Sequence, residues 1–120
     1  MKEIYELEEF EKQGRSPFGD WFDRLNAVAA AKITIALTRL KEGKHSNVKS
    51  VGGGVVEYKI DFGPGYRIYF GKDGDRLIIL LCGGDKKSQR DDIQKAKGYW
   101  QEYKDCKKKQ EAQDGTYKKV

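Results

Sequence analysis

Residues 52–87, GGGVVEYKIDFGPGYRIYFGKDGDRLIILLCGGDKK, leave few folds open. Val56, Tyr58, Ile60 and Phe62 alternate with Glu57, Lys59 and Asp61, which is the two-residue period of a strand with one apolar face. Gly63-Pro64-Gly65 then forces a turn, because proline fixes φ and glycine accepts positive φ. From Tyr66 to Phe70 the alternation resumes, with Ile68 and Phe70 on one side and Arg67 and Tyr69 on the other. Asp73-Gly74 predicts a second hairpin turn. Leu77–Cys82 is apolar at every position, as in a strand covered on both faces. The spacing therefore predicts a sheet with one greasy face. Opposite it lies a face bearing Glu57, Lys59, Asp61, Arg67 and Tyr69. Charged groups aligned on neighbouring strands form a candidate catalytic or binding surface.

The flanking segments supply helices. Met1–Phe10 reads as a short strand, since Ile4 and Tyr5 suit a sheet. Ser16-Pro17 is a helix entry, a capping side chain followed by a residue suited to the first helical position. A short helix with Phe18, Trp21, Phe22 and Leu25 on one face follows, and Asn26 breaks or re-caps it. Ala27–Lys41 predicts a longer helix with Val28, Ala31, Ile35 and Leu40 near helical spacing, stopped by Gly43. Val48 and Val51 suggest a short strand before the triple glycine. Asp85 or Ser88 opens a last helix, whose Ile93, Ala96, Tyr99, Trp100 and Tyr103 form a stripe that must be buried. From Lys104 the pattern fades into a segment with six lysines against Asp105, Glu111 and Asp114. A frayed end and a flexible basic tail over 105–120 are expected, leaving 1–104 as one domain.

Composition excludes several functions. At 120 residues with net charge +5, the chain is one small domain with a moderate basic excess, open to nucleic acid or an acidic partner. No apolar run approaches a membrane span, and MKEIYELEEF does not read as a signal peptide, so a cytoplasmic protein is expected. Cys82 and Cys106 lack metal spacing and are expected to be inert and unpaired. The single histidine, His45, sits among lysines in a polar connector and is a weak titratable candidate. Gly52-Gly53-Gly54 lacks a dinucleotide fingerprint, and GGDKKS lacks the P-loop pattern, so triphosphate hydrolysis is set aside. No cofactor and no metal site are expected.

Glu57-Tyr58-Lys59-Ile60-Asp61, then Gly63-Pro64-Gly65-Tyr66-Arg67-Ile68-Tyr69-Phe70, then Leu80-Leu81-Cys82-Gly83-Gly84-Asp85-Lys86 resembles the addiction-module killer proteins, a HigB/RelE-like branch of the RelE/ParE toxin superfamily. Trp21 with Leu25, and Tyr99-Trp100, fit the same pattern. The resemblance implies an α+β, RelE-like fold of order β-α-α-β-β-β-α, with a small antiparallel-dominated sheet, an N-terminal helix hairpin and a C-terminal helix. It implies a type II toxin, held inactive by a cognate antitoxin, expected to be a small helix-turn-helix protein, in a hetero-oligomer. Its expected activity is metal-independent cleavage of messenger RNA on the ribosome. A ParE-like poison of DNA gyrase is the alternative. Lys59 stands where relatives commonly have arginine, and Asp85-Lys86 where more distant members often carry His-Arg. Arg67 matches the superfamily's strand arginine. Tyr99, Tyr103 and Tyr117 are weak stand-ins for a C-terminal tyrosine that some members use.

Metal-free RNA cleavage needs a base for the ribose 2′-hydroxyl, an acid for the leaving 5′-oxygen, and cations for the phosphorane. The resemblance makes Arg67 the leading charge stabiliser, since its planar fork matches phosphate oxygens. Lys59 and Lys86 join it. Glu57, Asp85 or a lysine of depressed pKa is the candidate base. Lys49, Lys59, Arg67, Tyr69, Lys86 and Lys87 are the candidate RNA contacts. On this reading Arg67 lies on a solvated strand face, and its removal leaves stability nearly unchanged. The opposing structural reading pairs Arg67 with Glu57 or Asp61.

Overall fold

Five strands form one sheet in the order β1-β5-β4-β3-β2, with three helices on its two faces. The computed structural model describes residues 4–44 and 46–118, with side chains to residue 111. The elements are β1 (Glu6–Glu9), α1 (Pro17–Asp23), α2 (Ala27–Lys41), β2 (Val48–Gly52), β3 (Val55–Ile60), β4 (Tyr66–Asp73), β5 (Leu77–Gly84) and α3 (Gln89–Lys118). Consecutive strands from β2 to β5 pair antiparallel, and β1 alone runs parallel, beside β5. The α+β architecture is the expected one. The short strand suggested at Val48 is β2, so the sheet has one strand more than the four-strand order.

Local chemistry explains the helix starts. Ser16 Oγ accepts from Gly19 N–H at 2.8 Å, and Asn26 Oδ1 accepts from Ala29 N–H at 2.9 Å. Each satisfies one of the amides that a helix start leaves orphaned. Arg24 is the C-cap of α1, and Asn26 caps the start of α2. The buried face of α2 is Ala29, Ile33, Ala36 and Leu40. This corrects the expected stripe: Val28 and Ile35 are 60% and 53% exposed. Several apolar residues in α2 permit more than one stripe, and only the 29/33/36/40 set aligns with the sheet.

The strand alternation has its expected two sides. Tyr58, Ile68, Phe70, Ile78 and Leu80 pack with Phe18, Ile33 and Leu40 beneath α1 and α2. On the opposite side Val55, Tyr69, Ile79, Leu81 and Cys82 pack with Ala96 and Trp100 of α3. Tyr69 pairs with Cys82 and Phe70 with Leu80, so Leu81 is the extra residue of a bulge. Gly71 is required where Trp100 crosses β4: a Cβ there would lie 2.6 Å from the indole ring. The second face is therefore a second core, not a solvated surface, over most of its length.

Beyond Lys104 the helix continues to Lys118, whereas the apolar pattern fades there. Lys, Gln, Glu and Ala are strong helix formers and need no buried stripe to extend an established helix. A Gln101–Asp105 side-chain bond of 3.0 Å supports the extension one turn on. No helix among the described residues is long and apolar enough to cross a membrane.

Candidate functional site

Two rungs of the sheet organise the polar residues at the open end of β3 and β4. The first joins Lys49, Glu57, Tyr69 and Cys82 as successive register partners. The second joins Lys59, Arg67 and Gly84. Like charges directly opposite, as at Lys59 and Arg67, repel. Neighbouring carboxylates offset this: Lys59 Nζ lies 3.4 Å from Asp61 Oδ1, and Arg67 Nε lies 3.6 Å from Glu57 Oε2.

Glu57 is the hub of the first rung and is only 3% exposed. Its Oε2 accepts from the Tyr69 hydroxyl at 3.0 Å and from Gln89 Nε2 at 2.8 Å. Its Oε1 lies 3.8 Å from Lys49 Nζ. A buried carboxylate needs such partners, because burial without them costs several kcal/mol. Arg67, also buried, donates from Nη1 to the Gly65 carbonyl at 2.7 Å. This bond ties the guanidinium to the Gly-Pro-Gly turn, where Gly65 takes φ +79°. Among the described residues, Arg67 Nε is the buried side-chain polar atom left without a hydrogen bond. It faces Glu57 by charge alone.

The loop after β5 closes the site. Lys86 N–H reaches the Pro64 carbonyl at 3.4 Å, placing Lys86 beside the turn. Lys59, Asp61, Arg67 and Lys86 line a notch of about 360 Å³ with the Gly-Pro-Gly turn as its wall. A second hollow, of about 290 Å³, adjoins it and is lined by Asn47, Val48, Lys49, Glu57, Lys59, Asp61 and Arg67. The two share Lys59, Asp61 and Arg67 and so form one basic groove across the ends of β2, β3 and β4.

Several expected roles change with these positions. Tyr69 is fully buried beneath α3 and does not present its ring to a solvent-borne RNA. Burial first, then the charge and bond of Glu57, push its hydroxyl pKa well up. Glu57 and Arg67 were expected on an open face and are instead covered. Asp85 Oδ1 accepts from the Ser88 amide at 3.2 Å, a capping contact at the entry to α3. Lys86 and Lys87 are exposed; Lys86 lines the notch, while Lys87 lines neither hollow. Tyr99 stacks on Phe10 and Tyr103 on Trp100, so both belong to packing. His45 and the Tyr117 side chain lie outside the described residues.

Gln89 was missed as a site residue, and Asp61 was placed on the polar face but given no role of its own. Gln89 was accessible in principle: the four residues between β5 and α3 are too few to carry the helix start away from the strand ends. Asp92 was missed too. It is buried at the α3 entry, hydrogen-bonded by Ser88, and burial raises its pKa. Cys82 is buried and free, and burial followed by the Asp92 charge pushes its thiol up to about 12. It is not a nucleophile near neutral pH. Among the described residues no three His, Cys, Asp or Glu side chains converge as a metal-ligand set.

Residues 20–100 match the family described as "Phage derived protein Gp49-like (DUF891)". A protein of Haemophilus influenzae described as "Uncharacterized protein" is 46% identical over 81 residues, which cover 67% of this chain and 82% of the relative. The family match runs from α1 to Trp100 and includes every residue of both rungs.

Proposed function

The chain belongs to the Gp49-like phage-derived protein family, and from that premise we propose that it is the toxin of a type II toxin–antitoxin module and cuts messenger RNA on the ribosome. Kinship of the family with RelE/HigB-like toxins supports the toxin role. The observation that carries the ribonuclease role is the groove in which Lys59, Arg67 and Lys86 converge on one turn. Three cations around a hollow with a single exposed carboxylate suit a phosphodiester better than a neutral or cationic ligand.

In this reading Arg67 supplies a fixed positive field from behind the notch, and Lys59 and Lys86 contact phosphate oxygens. Glu57 positions Arg67 and does not act as base, since its oxygens are occupied internally. Asp85 is occupied by its cap. Asp61, exposed at the rim, takes the base role and accepts the 2′-hydroxyl proton. The 2′-oxygen attacks phosphorus, the bond to the 5′-oxygen breaks, and the Lys86 ammonium returns a proton to that oxygen. The products are a 2′,3′-cyclic phosphate and a 5′-hydroxyl. A cognate antitoxin neutralises the protein by covering the groove or blocking its approach to the ribosome.

The test is induced expression, with and without the neighbouring small reading frame, followed by mapping of RNA ends. The expected result is discrete cuts inside translated messages bearing cyclic or 3′-phosphate ends. Cuts with 3′-hydroxyl ends contradict the route. A supercoiling defect with intact messages replaces it with a gyrase poison.

A further inference from the structure

A second basic region lies along the middle of α3. Where the helix passes the tip of the β4–β5 hairpin, Lys72, Lys104, Lys107 and Lys108 line a cleft of about 290 Å³ with Trp100 and Tyr103. The two rings stack at 5.3 Å and 7°, which makes a rigid wall. Lys104 Nζ stands 5.9 Å from the Trp100 ring centroid, and Lys72 Nζ stands 4.7 Å from that of Tyr5. Two carboxylates are near. Asp73 is already bound by the Tyr103 hydroxyl and by Lys107. Glu111 closes one end. Among the described residues Lys72, Lys104 and Lys108 have no carboxylate partner. Lys72 turns its ammonium to the Tyr5 hydroxyl at 3.1 Å on the other face of the sheet, so Lys104 and Lys108 are the cations that face the hollow without an ion pair, on a helix locked to the hairpin through Asp73.

We infer that this cleft docks the sugar-phosphate backbone of RNA, separately from the notch at Arg67. The identity of the polyanion rests on the ribonuclease reading. The chemistry disfavours an acidic protein: among the described residues the exposed large apolar side chains are Ile4, Val28 and Ile35, none of them here, and a protein interface needs an apolar anchor. Lysines are point charges without the planar fork that reads a base edge, so the cleft positions RNA without selecting sequence. Along α3, Gln89 and Lys104 are about 22 Å apart at 1.5 Å per residue. A backbone that follows the helix over that distance can touch both sites.

The experiment measures binding of a labelled RNA duplex across a salt series. It compares the wild-type chain, Lys104→Gln with Lys108→Gln, and Lys95→Gln with Lys109→Gln. The second pair removes the same charge from other faces of α3. The cleft pair is expected to weaken binding several-fold and to take about 1.8 from the slope of log affinity against log salt, two contacts' worth. The control pair is expected to change the slope little. Equal losses in both pairs overturn the inference, because net charge then explains the binding. So does unchanged affinity in the cleft pair, or preferential binding of poly-glutamate by the cleft. RNA cutting is measured on the same proteins. If cutting persists and the cleft variants keep full affinity, the docking site falls alone. If the wild-type chain cuts nothing yet binds the duplex through these lysines, the ribonuclease reading falls and the docking site stands.

Discussion

The Tyr69 hydroxyl donates to Glu57 Oε2 at 3.0 Å across a rung on which the two residues are direct partners. Both are buried, so the bond lies inside the layer between the sheet and α3. It makes the hydroxyl a fixed donor. Burial and the adjacent carboxylate raise its pKa, so Tyr69 stays protonated near neutrality and keeps donating to Glu57, which lies 3.6 Å from Arg67 Nε. The anchor of the groove is thus a core feature.

Tyr69→Phe is expected to lower unfolding stability by about 1–2 kcal/mol, because Glu57 loses one donor without gaining water. Urea unfolding measures this. Toxicity should follow the amount of folded protein. Lost toxicity at unchanged stability would instead place Tyr69 against the RNA.

Glu57→Ala leaves the Arg67 guanidinium buried without its carboxylate, and is expected to cost about 3–5 kcal/mol. Glu57→Gln keeps an acceptor and should cost less. Arg67→Ala is also destabilising here, contrary to the expectation for a surface arginine, because it strands the Glu57 charge. In the double variant the two losses should add to less than their sum. Additive losses, measured by denaturant melts, would mean that the pair at 3.6 Å carries no coupling.

Two carboxylates give opposite pH effects. Lys107 and then Tyr103 lower the Asp73 pKa from 3.8, so its contribution is present above that value and is lost as pH falls through the folded pKa. Burial raises the Asp92 pKa from 3.8, so its ionisation opposes folding. That penalty is absent below 3.8 and complete once pH exceeds the folded pKa. Asp73→Asn should therefore destabilise at neutral pH, with the difference from wild type shrinking in acid. Asp92→Asn should stabilise at neutral pH, with its gain shrinking in acid. Melting temperature against pH reads both. Parallel profiles for the two variants would contradict the assignment.

Gly71→Ala puts a methyl carbon 2.6 Å from the Trp100 ring. The indole or β4 must move, at about 1–3 kcal/mol. Near-ultraviolet circular dichroism should report the displaced indole. An unchanged spectrum and melting point would mean that the ring has room the structure does not show.

The strands were legible because their period of two is strict between Val55 and Phe70, and the two hairpins because glycine turns bracket them. Ser16, Asn26 and Gly43 marked the α1 and α2 boundaries by local chemistry. What lay on the second sheet face was not legible. Glu57 and Arg67 look like solvent-facing residues to any local pattern, yet Gln89 of α3 bonds Glu57, and the Gly-Pro-Gly turn and Glu57 hold Arg67. The position of α3 depends on Trp100 meeting Gly71 and on Gln89 meeting Glu57, contacts between residues far apart in sequence. The α2 stripe failed for a related reason: Val28 and Ile35 are as apolar as the residues that face the sheet. The groove was partly legible, since the Gly-Pro-Gly turn sets Lys59 opposite Arg67. Asp61 was visible on that same strand face, yet its place at the rim depends on how Glu57 is covered.

Lys86 is the residue whose removal best isolates the chemistry. It is exposed, its side chain has no ion-pair partner among the described residues, and it lines the notch beside Arg67. Its backbone amide, not its ammonium, holds the loop against Pro64. Lys86→Ala should therefore fold with stability within about 0.5 kcal/mol of wild type. Loss of one preorganised cation at a phosphoryl centre typically costs on the order of 10²–10³ in rate. RNA cutting and growth arrest should fall accordingly, with the melting curve superimposable on wild type. Lys86→Arg keeps a cation and should restore activity in part, since the fork reaches the same oxygens from a different angle. Full toxicity from a folded Lys86→Ala chain would remove Lys86 from the reaction and leave the groove as a binding surface only.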